Sequence, residues 1–156
     1  MNFDELFPGR FLKSGLFKGR DVTLTIAKVR TEELPDDKGG KKVKGIISFV
    51  GKTLELVLNR TNGECIKAMF GRETDAWVGK RVTFWPAPYT DNMTGEVSTA
   101  IRVRGSPDLA ANITFELKLA RKKASTLTML RTGQKNGAPV PVQDLPSADA
   151  GEEISA

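Results

Sequence analysis

The order of hydrophobic periodicities along the chain predicts an all-β domain interrupted by one helix. Three observations carry this expectation. Apolar and β-branched residues alternate with a two-residue period at Val22–Ala27, Lys80–Trp85, Val97–Arg104 and from Ile113 to Leu119. Only the segment after Asn59 changes to clear helical spacing. Polar stretches punctuated by Gly and Pro separate the alternating runs.

The elements follow in chain order. Residues 1–20 read as an extension, a short helix or coil that packs on one end of the body through Phe3, Leu6, Phe7, Phe11 and Leu12. The first strand sets Val22, Leu24 and Ile26 against Thr23, Thr25 and Ala27. Thr31 to Lys42, rich in Lys, Asp, Gly and Pro, reads as a long hairpin loop. Val43–Val50 and Lys52–Leu58 read as two strands joined tightly at Gly51, an antiparallel hairpin. Asn59 is placed to cap a helix whose apolar face holds Cys65, Ile66, Met69 and Phe70. Gly71 stands where a helix ends. Thr74–Trp77 reads as a turn, with Trp77 as a core anchor, before the strand Lys80–Trp85. A loop from Pro86 to Glu96 leads to Val97–Arg104, and Ile113–Leu119 forms a sixth strand candidate. Arg121–Thr132 is open between extended and helical. From Gly133 the chain is Pro-rich, has no amphipathic period and cannot repay the entropy of ordering, so 133–156 reads as a disordered tail. The body is then residues 21–132. Three strands, a helix and further strands is the element order of the OB-fold. The expectation is an OB-fold-like, five- to six-stranded Greek-key barrel.

Composition narrows the chemistry. The chain of 156 residues has no histidine and one cysteine, Cys65. His-based metal sites, His general bases, intrachain disulfides and multi-cysteine metal sites are excluded. No Walker-type glycine loop occurs, and the adjacent acids Asp36-Asp37 and Glu152-Glu153 lack the spacing of a catalytic pair. The expectation is a protein without enzymatic activity or cofactor. No apolar run approaches a membrane span, and the opening Met1–Leu6 lacks the order of a secretory signal. A cytoplasmic setting is expected.

Charge points to a partner. Of 24 Lys+Arg and 19 Asp+Glu, only Lys135 and four acids (Asp144, Asp149, Glu152, Glu153) follow residue 132, which leaves the body with 23 cations against 15 acids, net +8. With Val82, Phe84, Ile101 and Val103 inward, Arg81, Thr83, Trp85, Arg102 and Arg104 face outward. Guanidinium groups that follow phosphates beside an indole that stacks a base are what a single-strand binder needs. The plainer alternative is a solvated basic face with Trp85 closing the barrel end. A second candidate set is the loops: Lys38, Lys41, Lys42 and Lys44 on one, and Tyr89, Asn92 and Met93 on the other. OB-fold loops at these places flank the binding groove. Arg121-Lys122-Lys123 can touch phosphates or simply aid solubility, with the second slightly favoured.

Four short motifs in order carry a resemblance: Phe3-Asp-Glu-Leu-Phe-Pro, Leu58-Asn-Arg-Thr-Asn, Trp77-Val-Gly-Lys-Arg-Val and Ala100-Ile-Arg-Val-Arg. Together they resemble a group of small bacteriophage proteins treated as replication-associated or single-stranded-DNA-binding. The resemblance spans roughly residues 3–105 and implies an OB-type body, single-stranded DNA as partner and the host cytoplasm as setting. Bacterial single-stranded-DNA-binding proteins also join an OB body to an acidic tail. Those tails end in a hydrophobic tip, whereas this chain ends Glu153-Ile-Ser-Ala. The expected function is non-catalytic single-stranded DNA binding in phage replication or recombination. Duplex DNA or RNA are further possible ligands, and a host or phage replication protein or a second copy of the chain are further possible partners. The alternative is an interaction module that inhibits or recruits a host factor.

Overall fold

The computed structural model describes residues 9–36 and 38–133. Among these described residues seven strands form: β1 (Val22–Pro35), β2 (Lys41–Phe49), β3 (Leu56–Leu58), β4 (Arg81–Thr90), β5 (Val97–Ser106), β6 (Ile113–Leu117) and β7 (Ser125–Arg131). One α-helix, α1 (Arg60–Phe70), stands between β3 and β4, and single 3-10 turns occur at Ser14–Phe17 and Thr74–Trp77. The strands hydrogen-bond into one open sheet in the order β3-β2-β1-β4-β5-β7-β6. Every neighbouring pair is antiparallel except β5–β7.

β1 organises the sheet because its two halves use different partners. Val22–Thr25 pair with Phe84–Arg81 of β4, and from Ile26 onward the strand pairs with β2, with an irregularity between Ile26 and Lys28. Its inward residues Val22, Leu24 and Ile26 join Phe17, Ile47, Phe49, Ile66, Val82 and Phe84 in one buried cluster. Phe49 meets Phe84 edge-on, with ring centroids 5.8 Å apart. Burial of these side chains, at about 1.5–3 kcal/mol each, is the main favourable contribution to folding.

The helix forms where its local signals put it. Asn59 accepts a hydrogen bond from the Asn62 amide at 2.8 Å, and Gly71 ends the helix at φ 97°, a backbone region that glycine enters freely. Cys65 and Ile66 are buried, with Met69 and Phe70 packed against the same cluster. Asn62, also buried, donates to the Ile101 carbonyl and ties α1 to β5. Trp77 is buried, and its indole N–H donates to Gly71 O at 2.8 Å.

Several expected boundaries move. There are seven strands rather than five or six, because Arg121–Thr132 resolves into β7. The long loop expected from Thr31 to Lys42 is mostly strand, since β1 runs to Pro35 and β2 begins at Lys41. The loop expected from Pro86 to Glu96 shrinks to 91–96, because β4 continues to Thr90. In both places the chain extends as a two-stranded arm with both faces largely solvated, so no apolar alternation in the sequence betrays the strand. The β2–β3 pairing is antiparallel as expected, and a tight turn closes at Val50-Gly51, where the Lys52 amide donates to the Phe49 carbonyl, but the link runs on to residue 55 before β3 begins. Glu55 instead exchanges backbone hydrogen bonds with Arg10 and Leu12 of the incoming chain. Phe11 and Leu12 belong to that incoming segment. Phe3, Leu6 and Phe7, together with the tail beyond Gly133, lie outside the described residues.

Candidate nucleic-acid interface

The β4–β5 ribbon positions the aromatic and basic residues. Phe84 pairs with Val103 and Trp85 with Arg102, while Thr83 pairs with Gly105, so Arg104 is the extra residue of a bulge. Phe84 and Val103 turn inward, which puts Trp85 and Arg102 on the opposite face. Tyr89, four residues further along β4 on the same face as Trp85, is half exposed. That spacing corresponds to about 13 Å of extended strand.

The bulge aims Arg104 across Trp85. Its guanidinium carbon lies 3.9 Å from the ring centroid, a cation–π contact that covers one indole face. Arg104 Nε stands 2.8 Å from Asp21 Oδ2, with the two side chains 10% and 1% exposed. Asp21 reaches this position because the next residue, Val22, pairs with Phe84. Arg104 is therefore an internal brace for Trp85 as much as a surface cation. Arg102 is half-buried, and its Nη1 donates to its neighbour's carbonyl at Ile101, a long contact of 3.4 Å.

Arg81 does not join this cluster. Its guanidinium clasps Asp108, with Nη2 at 2.6 Å and Nε at 3.0 Å from Oδ1, while its amide donates to Oδ2. Burial pushes the Asp108 carboxyl up, but the side-chain and backbone hydrogen bonds from Arg81 and its positive charge together outweigh it and hold the carboxyl below its ordinary value. Thr83, expected outward, is buried. Its hydroxyl bonds those of Thr23 at 2.8 Å and of Thr132, the residue just after β7, at 2.6 Å.

Nor do the lysines of the first arm meet the Trp85 cluster. Lys41, Lys42 and Lys44 are exposed strand residues of β2, and Lys38 lies in the turn. Ten residues of β1, about 33 Å of extended chain, separate Thr25 at the β4 crossing from Pro35 opposite Lys41. Lys42 Nζ lies 3.9 Å from Asp36, and Lys44 pairs across the strands with Glu32. Glu32 itself belongs to an alternating network. Arg10 donates to both of its carboxylate oxygens at 2.7 Å, and Arg30 bonds Glu32 and both oxygens of Glu55. The Arg10 and Arg30 hydrogen bonds draw the Glu32 carboxyl down to about 2.

Beside Trp85 opens a cavity of about 470 Å³. α1 contributes Thr61 and Cys65, β5 contributes Arg102–Arg104, and the β6–β7 hairpin contributes Leu117, Leu119, Lys122 and Ser125–Leu130 apart from Thr126. Three cations and no acid line it. Burial pushes the Cys65 thiol up to about 11, offset in part by the positive charge of Arg102. The hairpin's share of this site is what sequence reasoning missed. Leu127 and Met129 alternate with Thr126 and Thr128, a two-residue period that points to a strand once the helical option is set aside. At the tip, Lys118 Nζ donates to the Lys122 carbonyl, and Arg121 takes a left-handed backbone at φ 64°.

Among the described residues no group of three His, Cys, Asp or Glu side chains is arranged to hold a metal ion, and no helix is long and apolar enough to cross a membrane. The sequence matches no protein-family model, and neither a curated protein nor a solved structure matches it.

Proposed function

We propose that the chain is a non-catalytic binder of single-stranded DNA, an OB-like phage replication or recombination accessory. The observation that carries this reading is the placement of Trp85, braced by Arg104, beside Arg102 on one face, next to a cavity rimmed by Lys122 and free of acidic lining. Cations that follow phosphates and an aromatic that meets bases of any identity are the two components of sequence-tolerant single-strand binding. Tyr89, further along the same face, extends the track. Three strands, one helix and then the β4–β5 pair, with β1 shared between β2 and β4, support an OB-like body to which the β6–β7 hairpin is added.

The test is fluorescence anisotropy with a labelled thirty-nucleotide single strand, its duplex and an RNA of the same sequence across a salt series. The single strand is expected to bind most tightly. The logarithm of affinity should fall linearly with the logarithm of salt, with a slope of about −0.7 per neutralised phosphate. Absence of binding at low salt overturns the reading. It would favour a protein-interaction module, for which the tip of the β4–β5 arm is the candidate surface: Met93 is 95% exposed there, beside Val97 and Tyr89.

A further inference from the structure

The geometry points to a one-base pocket: the cavity between α1, β5 and the β6–β7 hairpin takes a single unstacked nucleobase of the bound strand, with the adjoining phosphate on Arg102 and Lys122. The inference rests on the single-strand reading and deepens it, since surface stacking alone requires no cavity.

The cavity follows from how β7 joins the sheet. β5 and β7 run parallel and pair only at Gly105–Leu130 and Ser106–Arg131. At Gly105 the two backbones approach so closely that a Cβ there would collide with the Leu130 backbone. Ahead of that contact the strands fork, with Arg102–Arg104 on one side and Leu127–Met129 on the other, and the space between them is the cavity. Folded interiors hold few voids larger than a water molecule, whereas about 470 Å³ falls within the range of small-ligand sites, roughly 300–1,000 Å³.

The lining selects the occupant. The half-buried Leu119 and Leu127 offer apolar surface to a flat ring above a floor of Cys65 and Met129, and the Trp85 ring with the Arg104 guanidinium over it lies along one wall. Hydroxyls of Thr61 and Ser125 supply donors and acceptors for a base edge, which an acyl chain would leave unused. Arg102 and Lys122, with no carboxylate in the lining, match one negative charge attached to that ring. A flat heteroaromatic ring linked to a phosphodiester has all of these complements.

Three ligands test it on the full chain: a thirty-nucleotide oligothymidylate, a thirty-unit abasic strand with the same phosphates, and thymidine monophosphate. Anisotropy should show the oligothymidylate binding about tenfold or more tighter than the abasic strand. The oligothymidylate, but not the abasic strand, should slow modification of Cys65 by methyl methanethiosulfonate. Leu127→Trp, which fills the cavity, should lower oligothymidylate affinity to the abasic value and leave the abasic affinity unchanged. If that variant fails to fold, the Cys65 protection in the wild-type chain decides alone. Equal affinity for the two strands overturns the pocket and leaves the single-strand reading standing, as does a base preference that survives in folded Leu127→Trp or comes without Cys65 protection. Binding of neither strand overturns both. Protection by millimolar thymidine monophosphate without strand binding also overturns the proposal, since it would mark a mononucleotide site instead.

Discussion

Arg102 and Arg104 are two residues apart on one strand, yet their surroundings give them different work. Arg102 is half-buried on the cavity rim, while Arg104 lies under Trp85 against Asp21. Arg102→Ala should weaken single-strand binding at low salt, flatten the salt slope by about one phosphate's share and leave the unfolding midpoint in place. Arg104→Ala removes one member of a buried ion pair, and urea unfolding should show a loss of about 3 kcal/mol. Equal, purely electrostatic losses in both variants would refute this division. Glu32 supplies a pH test. Its folded carboxyl lies at about 2 because of Arg10 and Arg30, below the ordinary 4.5. A depressed carboxyl stabilises the fold above the unfolded value, and the contribution fades as pH falls through the folded one. Urea melts should therefore place Glu32→Gln below the wild type at neutral pH. The gap should narrow from about pH 4.5 downward and close near pH 2.

Among the elements, β7 depends on one glycine. Gly105 has no Cβ, and the Leu130 backbone occupies the place where one would stand. Gly105→Ala should destabilise the chain by about 3 kcal/mol or more, because rigid backbone cannot yield as a side chain does. Hydrogen exchange should show β6 and β7 losing protection before β1 and β4. Uniform loss across the sheet would mean that the hairpin is not a separable unit. The helix and the core strands were legible from sequence because their signals are local: Asn59 caps within three residues, Gly71 terminates, and Val22, Leu24 and Ile26 alternate over five. The arms were not. Leu34 to Lys42 lie beyond the core, so nothing imposes a hydrophobic period on them.

For the whole molecule, charge distribution sets the expectation. The body to residue 132 holds 23 cations against 15 acids, while residues 133–156 hold four acids and one cation. Tethered acids compete with phosphates for the same cations, although four dispersed charges compete weakly. A chain ending at Gly133 should bind single strands a few-fold tighter at low salt, and the gain should shrink as salt rises. A truncation that weakens DNA binding contradicts this account. One that abolishes pull-down of a protein partner with DNA affinity unchanged supports the interaction-module reading instead.

The sequence by itself determined the β-rich class, the position and limits of α1, the burial of Trp77 and the placement of Trp85 with Arg102 on the face away from the Val82–Phe84 core. All of these depend on spacing within a few residues, where period and capping chemistry act directly. Tertiary structure decided which outward residues remain available. Thr83 is outward by alternation yet buried, its hydroxyl bonded to Thr23 on β1 and to Thr132 just after β7. Arg81 is outward and exposed, yet its charge is met by Asp108, twenty-seven residues later. The cavity beside Trp85 exists only because β7, read from sequence as ambiguous, stands apart from β5 until its last two residues pair with it. Alternation reports which face of a strand is apolar, but what covers the other face is set by contacts between residues far apart in the chain, to which no local period is sensitive.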